Sequence, residues 1–200
     1  MTYRIPWNKS RLIGQKPPLK PKEIWALRIR LQLAGMTRDL AMFNLALDSK
    51  LRGCDLVRLR VQDVCRAETV ATRASILQRK THRPVQFEIS DAARDAVATW
   101  LELRGLQPDS FLFPGRQRDH HLSERQYARI VKRWVACIGL DPYRYGTHSL
   151  RRTKATLIYK RTKNVRAIQL LLGHSKLEST VRYLGIDVDD ALEIAEQIDL

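Results

Sequence analysis

The feature of this sequence that most limits its fold is a short strand-like block, residues 61–89, between two long stretches of helical pattern. Inside the block, β-branched and alternating apolar residues predict two or three short strands, with a turn near His82. On both sides of it, apolar residues recur every three or four positions, as in amphipathic helices. We therefore expect a mostly α fold with a small antiparallel β-sheet (α+β) in its first half.

Helical spacing extends over most of the remaining chain. Thr37 and Ser90 are predicted as N-caps, because their side chains can accept hydrogen bonds from free backbone N–H groups. Gly173 is predicted as a C-cap, where a left-handed backbone favours glycine. The predicted helices cover residues 23–33, 37–48, 51–59, 91–104, 123–138, 149–161, 165–172 and 177–183.

The charge of the chain is strongly positive. Thirty-six Lys and Arg residues against twenty-one Asp and Glu residues give a net charge of +15, which favours a polyanionic partner such as nucleic acid. A basic protein without such a partner is the alternative. Residues 1–22 carry six basic residues and no acidic residue, and with Pro17, Pro18 and Pro21 this predicts an extended basic arm. Residues 184–200 carry six acidic residues and no basic one, so this tail is not expected to lie on DNA.

The cysteine content and hydropathy exclude several other classes of protein. Cys54, Cys65 and Cys137 are too few and too scattered for a disulfide framework or a zinc site, and we predict buried, reduced thiols. No apolar stretch has the length of a membrane span, and the first ten residues lack a secretory apolar core. The expected location is the cytoplasm, at the bacterial nucleoid, with no contact to a membrane.

Two short motifs carry groups suited to phosphate chemistry. His148 and Arg151 are three residues apart and would share a helix face, where a guanidinium can bind two phosphate oxygens and an imidazole can move a proton. A solvated helix face is the alternative. His174 follows Gly173, and Tyr183 lies nine residues further along. Two alternatives to a catalytic role remain for this segment. Tyr183 could be a core aromatic residue, or residues 165–184 could form a helix-turn-helix that reads a DNA groove.

Together these segments resemble the tyrosine recombinase family, also called phage integrases. The His-x-Leu-Arg motif of the family matches 148–151, its Leu-Gly-His motif matches 172–174, and its nucleophile matches Tyr183. The family's first arginine and the acid three residues later match Arg52 and Asp55, and its sheet lysine matches Lys80. The resemblance covers about residues 22–186 and implies the catalytic-domain fold of that family.

The resemblance implies that a tyrosine hydroxyl attacks a phosphodiester, forming a 3′-phosphotyrosine without metal, ATP or other cofactor. Asp55 is expected to orient the first arginine. Tyr159 is expected in the core, whereas Tyr3, Tyr143 and Tyr145 lack the spacing of the nucleophile. The implied catalytic residues are Arg52 and Arg151 on the phosphate, His174 as a further donor, His148 as proton acceptor, Lys80 as general acid and Tyr183 as nucleophile.

The N-terminal region departs from the family, because only about 22 residues precede the catalytic fold, where most members carry a clamp domain. The length resembles that of the short recombinases that invert fimbrial promoter segments. Residues 49–51 also replace the usual Thr-Gly before the first arginine. We predict three parts: a basic arm (1–22), a catalytic domain (23–186) and an acidic C-terminal helix for subunit contact (187–200).

The resemblance further implies double-stranded DNA as substrate, a homotetramer holding two DNA sites, and accessory DNA-bending proteins as possible partners. Two other functions stay open at this point. One is a DNA-binding regulator of recombination or transcription that cuts no strand, and the other is an enzyme resembling a type IB topoisomerase.

Overall fold

The computed structural model describes residues 15–67, 69–117, 119–186, 192 and 196. Within this part of the chain, helices predominate. The helices are α1 (Pro21–Leu33), α2 (Thr37–Ser49), α3 (Gly53–Leu56), α4 (Val61–Val64), α5 (Asp91–Arg104), α6 (Glu124–Cys137), α7 (Thr147–Thr162), α8 (Val165–Leu172) and α9 (Leu177–Leu184). The strands are β1 (Cys65–Arg66), β2 (Thr69–Val70), β3 (Arg73–Leu77) and β4 (Pro84–Glu88).

The strands form two antiparallel hairpins instead of one sheet. β1 pairs with β2, and β3 pairs with β4 in a register that places Arg73 opposite Glu88 and Leu77 opposite Pro84. The mostly helical class with small antiparallel sheets is confirmed. The longer hairpin ends in a tight turn at residues 79–82, and this turn carries Lys80 to the edge of the fold.

Two segments and one helix cap differ from the prediction. The N-cap predicted at Thr37 is wrong, because Thr37 is the first residue of α2 and Met36 is its N-cap. Residues 61–64, which lie in the strand-like block, form the helical turn α4. The backbone N–H of Val61 donates to the Ser110 carbonyl, and Asp63 caps the turn through the N–H of Arg60 at 2.7 Å. The third helix is also shorter than predicted, since α3 comprises four residues of the 51–59 segment.

The core is centred on α2, which is buried on almost all sides between α1, α5 and α7. A helix that is apolar around most of its circumference must lie inside the molecule. Phe43 of α2 meets Trp134 of α6 edge-on at 5.6 Å, and the Trp134 indole N–H donates to Asp39 at 3.0 Å. The direction of α2 therefore fixes where the chain emerges at Lys50 and Arg52.

The end of α2 is fixed by a buried lysine. Lys50 has a left-handed backbone (φ 53°) and a side chain that is 1% exposed, and its Nζ pairs with Glu88 of β4 at 3.0 Å. Burial lowers the pKa of Lys50, while the Glu88 carboxylate opposes that shift. Lys154 of α7 also contacts Glu88 at 2.6 Å, so the end of α2, β4 and α7 are joined by one charged cluster.

A second, smaller core cluster holds α9 against α7 and α8. Tyr159 lies in this cluster, as predicted, with Ile168 and Leu172. Residues 15–20 run without regular structure along the same helices, and the backbone N–H of Leu19 donates to Thr153 at 2.9 Å. The first fourteen residues of the predicted arm lie outside the described part of the chain, as does the predicted tail except for residues 192 and 196.

The predicted thiol burial is wrong for one cysteine. Cys65 is buried and Cys54 is half-buried, whereas Cys137 is exposed at the end of α6. Its side chain lies off the buried face of α6, which Trp134 and Ile138 continue past this position. Separately, no helix in the described residues combines the length and the apolar character that a membrane crossing requires.

Candidate active site

Arg151 lies at the centre of a positively charged cleft. Its side chain is 3% exposed and projects from the second turn of α7. One guanidinium nitrogen donates to the carbonyl of Lys50 at 2.8 Å, and another donates to the carbonyl of Leu172 at 2.8 Å. Arg151 thereby joins the ends of α2 and α8, two helix C-termini whose last carbonyl groups need donors.

Arg52 enters the same cleft from the start of α3. It occupies the N-cap position, where an extended backbone turns the side chain away from the helix. Its Nη1 donates to Oε1 of Gln78 at 2.6 Å. The Asp55 carboxylate accepts instead from the backbone N–H of Arg79 at 3.0 Å. The expectation that Asp55 orients Arg52 is therefore wrong, and a glutamine on the β3–β4 hairpin has that place.

Lys80 and His148 line the exposed side of the cleft. Lys80 lies in the β3–β4 turn with an exposed side chain, and His148 is the second residue of α7. Desolvation and the charges of Arg151 and Arg52 lower the pKa of His148, and Lys80 contributes to the same shift. His148 is therefore neutral at pH 7 and able to accept a proton.

His174 lies in the turn between α8 and α9. Its Nδ1 is 3.1 Å from Oγ1 of Thr180, a fully buried side chain one helical turn along α9. Burial, with the charges of Arg151 and Arg52, lowers the pKa of His174 to about 4. If the Thr180 hydroxyl donates to Nδ1, the neutral ring carries its proton on Nε2, where it can donate to a substrate.

Tyr183 projects from the last turn of α9 into the cluster of cations. Its ring lies 5.9 Å from the Arg151 guanidinium, 5.4 Å from that of Arg152 and 5.4 Å edge-on from the His174 ring. The hydroxyl oxygen is buried, and no residue of the described part of the chain meets strict hydrogen-bond geometry with it. Burial raises the pKa of Tyr183 to about 12, although the nearby Arg151 and Arg152 favour the phenolate.

The structure brings the six residues singled out in the sequence to one cleft, although they come from five separate segments. The charge of Arg52 acts on four other members, namely His148, Arg151, His174 and Tyr183, and the charge of Lys80 acts on His148. An assembly of several cations around a buried hydroxyl suits a phosphodiester, whose non-bridging oxygens accept charge-assisted hydrogen bonds.

Three further residues complete the site and were missed in the sequence. Gln78 contacts Arg52, Thr180 contacts His174, and Arg152 stacks against Tyr183. Thr180 follows His174 by six positions, and Gln78 precedes Lys80 by two, so neither spacing signals a contact. Arg152 stands beside Arg151 in the sequence, which is the one available signal.

Comparison with known proteins identifies the fold and the family. A model of the phage integrase family matches residues 19–189, which includes all six residues of the cleft. The chain belongs to the phage integrase family. The resemblance stated from the motifs is therefore confirmed, and so is the expected catalytic-domain fold.

Family members of known sequence differ in how much of their length this chain covers. A probable integrase/recombinase, YoeC, of Bacillus subtilis is 30% identical over 152 residues, with 76% of this chain and 80% of that protein covered. The tyrosine recombinase XerC of Erythrobacter litoralis is 29% identical over 153 residues, with 75% and 47% covered. The chain thus spans about half the length of that XerC relative.

Solved structures of phage integrase family proteins have the same fold. The XerA recombinase superposes with a TM-score of 0.74 at 21% identity, covering 92% of this chain and 66% of that one. The XerH recombinase bound to its difH substrate gives a TM-score of 0.69 at 22% identity, covering 91% and 55%.

The depressed pKa of His174 predicts a pH dependence of stability for this family member. In the unfolded chain the ordinary pKa is about 6.5, and in the folded protein it is about 4. Between these values the unfolded chain binds a proton that the folded protein does not, so the free energy of unfolding falls as the pH drops from about 6.5 towards 4. Urea unfolding of the wild type and His174→Gln over this range should give a flatter pH profile for the variant. Parallel profiles would contradict this assignment.

Proposed function

We propose that the protein is a site-specific DNA recombinase that cleaves and rejoins duplex DNA through a 3′-phosphotyrosine intermediate. The observation that supports this best is the buried Tyr183 hydroxyl, held beside two guanidinium groups and an imidazole. Family membership and relatives named as recombinases and integrases point to the same reaction. The product is an integration, an excision or an inversion.

In the proposed reaction, the oxygen of Tyr183 forms a bond to phosphorus while the bond from phosphorus to the 5′-oxygen breaks. The phenolic proton goes to His148, and Lys80 gives a proton to the departing 5′-oxygen. Attack of the freed 5′-hydroxyl of a partner strand on the phosphotyrosine reverses these steps and releases Tyr183. One phosphate ester replaces another, so no external energy source is needed.

Two arginines and a histidine are proposed to stabilise the charged transition state. Arg52 and Arg151 donate to the non-bridging oxygens, and Nε2 of His174 adds a third donor. Such donors are effective in a preorganised, partly desolvated cleft, because no solvent has to reorganise when the charge develops. The buried position of Arg151 and its two backbone bonds support this role, since they hold the guanidinium in one orientation.

The proton inventory fits this assignment of His148. A tyrosine whose pKa is about 12 is neutral at pH 7 and needs a base before it attacks. His148 has a lowered pKa, so its imidazole is free to accept that proton. A bound phosphodiester brings negative charge beside His148 and stabilises the imidazolium that forms.

The substitution Tyr183→Phe tests the proposal. We expect covalent protein–DNA adducts to disappear, by roughly 10⁴-fold or more, because the nucleophile is absent, while DNA binding persists. The measurement incubates the protein with genomic DNA of its source organism, denatures the mixture and sequences the DNA ends left on the protein. Tyr143→Phe is the matched control, since Tyr143 is 78% exposed and outside the cleft.

The adduct ends also separate the competing functions. Adducts at a few repeated sites, lost in Tyr183→Phe and kept in Tyr143→Phe, support the recombinase. Scattered ends support an enzyme resembling a topoisomerase, and tight binding without adducts supports a regulator that cuts no strand. Adducts that survive in Tyr183→Phe would place the nucleophile elsewhere.

The partners and location follow as part of the same proposal. Double-stranded DNA is the substrate, and pairs of adduct ends on inverted repeats would indicate two chains at each site. We propose a homotetramer on two such sites, with residues 187–200 in the contact between subunits, and accessory DNA-bending proteins as further partners. We propose the bacterial cytoplasm as its location, at the nucleoid, because DNA is the proposed substrate.

A further inference from the structure

We propose that Gln78 is a positioning residue that holds the Arg52 guanidinium in the orientation needed for phosphate binding. The proposal rests on the recombinase function proposed above and assigns a role to a residue outside the six of the motif set. Gln78 lies directly after β3, at the base of the turn that carries Lys80.

The Gln78 side chain is fully buried, and its amide group is hydrogen-bonded at both ends. Oε1 accepts from Nη1 of Arg52 at 2.6 Å and from Oγ1 of Thr81 at 2.9 Å, while Nε2 donates to the Leu172 carbonyl at 3.2 Å. A buried amide without partners is costly, so such a group is kept where its contacts are made. These contacts connect three separate segments of the cleft.

The chemistry of the contacts fixes which way the amide faces. A backbone carbonyl only accepts, so the NH₂ group of Gln78 must face Leu172, and its oxygen must then face the guanidinium of Arg52. A neutral oxygen holds the guanidinium without cancelling its charge. A carboxylate at this position would bind Arg52 more strongly and would compete with the phosphate.

Gln78 also sets Arg52 relative to Arg151. The Leu172 carbonyl accepts from Nη2 of Arg151 at 2.8 Å and from Nε2 of Gln78. One carbonyl oxygen therefore positions both phosphate-binding guanidinium groups. It binds that of Arg151 directly, and it binds that of Arg52 through the amide of Gln78. Phosphate binding by two arginines requires such a fixed spacing, because misplacement of about 1 Å can cost roughly 10²-fold in rate.

The backbone around Gln78 is held firmly enough for this role. Its N–H donates to the Arg83 carbonyl at 2.9 Å, and its carbonyl accepts from the His82 N–H at 2.8 Å, which closes the turn. Gly173 leaves the space for the amide, since a Cβ there would lie 3.1 Å from Oε1. The hairpin, the end of α8 and α3 thus meet at one side chain.

Two substitutions separate positioning from a general structural role. Gln78→Met keeps the length of the side chain and removes its hydrogen bonds, whereas Gln78→Glu keeps an acceptor, loses the donor and adds a charge. Gln86→Met is the matched control, because Gln86 lies on β4 of the same hairpin with an exposed side chain. Thermal unfolding of each variant shows that the compared proteins are folded.

Cleavage is measured under single-turnover conditions on nicked synthetic duplexes of the site recovered from the adducts. Three forms of the scissile group are compared: the normal phosphate, a neutral methylphosphonate and a phosphate with sulfur at the bridging 5′ position. On the normal phosphate we expect Gln78→Met to be about 10²-fold slower than the wild type, Gln78→Glu to be slower still, and Gln86→Met to be unchanged.

The modified substrates identify the group through which Gln78 acts. Cleavage of a neutral methylphosphonate needs less stabilisation by positive charge. The loss of cleavage rate in Arg52→Gln and in Gln78→Met should therefore be smaller on this substrate. A sulfur leaving group needs no general acid. It should therefore restore the cleavage rate of Lys80→Met, whereas cleavage by Gln78→Met should stay slow. Three results for Gln78→Met would overturn the proposal. They are an equal loss of cleavage rate on all three substrates, a rate restored by the sulfur substrate, and a wild-type rate on the normal substrate.

Failure of the proposed function is recognised separately, because the wild type would then form either scattered adducts or none. In that case we measure the binding of inorganic phosphate, by following the NMR chemical shifts of backbone amides in the cleft. Gln78→Met should weaken phosphate binding as Arg52→Gln does, while Gln86→Met should not. Equal phosphate affinity in Gln78→Met and the wild type would refute the positioning role without reference to DNA cleavage.

Discussion

The variant Arg151→Lys is expected to lose nearly all DNA cleavage, by about 10²–10³-fold, the range found when one preorganised transition-state donor is removed. Because lysine keeps the positive charge, the loss of cleavage rate measures the contribution of the guanidinium geometry. The guanidinium of Arg151 reaches the Lys50 and Leu172 carbonyls with two different nitrogens, each at 2.8 Å. A single ammonium nitrogen cannot hold that planar, forked arrangement and also face a phosphate.

The same substitution should lower the free energy of unfolding. The Lys50 carbonyl follows α2 and the Leu172 carbonyl ends α8, and both are buried near Arg151. Leu172 retains the donor of Gln78, whereas Lys50 loses the guanidinium bond. A buried carbonyl left without its donor costs about 1–3 kcal/mol. We therefore expect a loss of that order in urea unfolding.

Arg161→Lys is the matched control, because Arg161 lies near the end of the same helix with an exposed side chain. It should leave cleavage and unfolding within the error of the wild type. Cleavage by Arg151→Lys at close to the wild-type rate would show that charge alone suffices at this position. In that case the forked contacts with the two carbonyl groups would be structural only.

The parts of the site that the sequence predicts depend on local spacing. His148 and Arg151 share a face because residues three apart in a helix are neighbours, and α7 begins at Thr147, two residues before the predicted start, so that it includes both. Gly173 ends α8 in a left-handed conformation (φ 65°), as a glycine after a helical run predicts. The motif spacing alone therefore placed the His148–Arg151 pair and the α8–α9 turn.

The parts that the sequence does not predict depend on contacts between distant segments. Gln78 meets Leu172 across 94 positions, and no local pattern marks that pair. Asp55 lies three residues from Arg52 and was expected to bind it, yet its carboxylate faces the β3–β4 turn at Arg79. Side-chain direction at the four-residue helix α3 is determined by what packs against it, and spacing carries no information about that.

The second large effect is expected at Gly173, where alanine should destabilise the fold and displace the catalytic turn. A Cβ at this position would lie 2.5 Å from Cγ2 of Val85, too close for any packed arrangement, and a left-handed backbone disfavours a side chain as well. The left-handed strain costs about 1–2 kcal/mol and the overpacking about 1–3 kcal/mol. We therefore expect Gly173→Ala to lose about 2–5 kcal/mol in urea unfolding.

Gly139→Ala isolates the backbone contribution. Gly139 also has a left-handed backbone (φ 78°), but nothing lies within 4 Å of the position of its Cβ. It should therefore lose only the strain, about 1–2 kcal/mol, and keep full cleavage activity. The difference between the two alanine variants reports the contact between the α8–α9 turn and the β3–β4 hairpin.

Val85→Ala completes a double-mutant cycle on that contact, because it removes the methyl group that meets the new Cβ. The double variant should be more stable than the sum of the single losses predicts, by an amount that measures the clash. Its cleavage should also recover towards that of Val85→Ala, since the turn that carries His174 returns against the hairpin that carries Lys80. Additive losses, or equal losses in Gly173→Ala and Gly139→Ala, would mean that glycine is needed here only for its backbone. The close approach of the hairpin to the turn, on which the spacing of the two arginines depends, would then need another explanation.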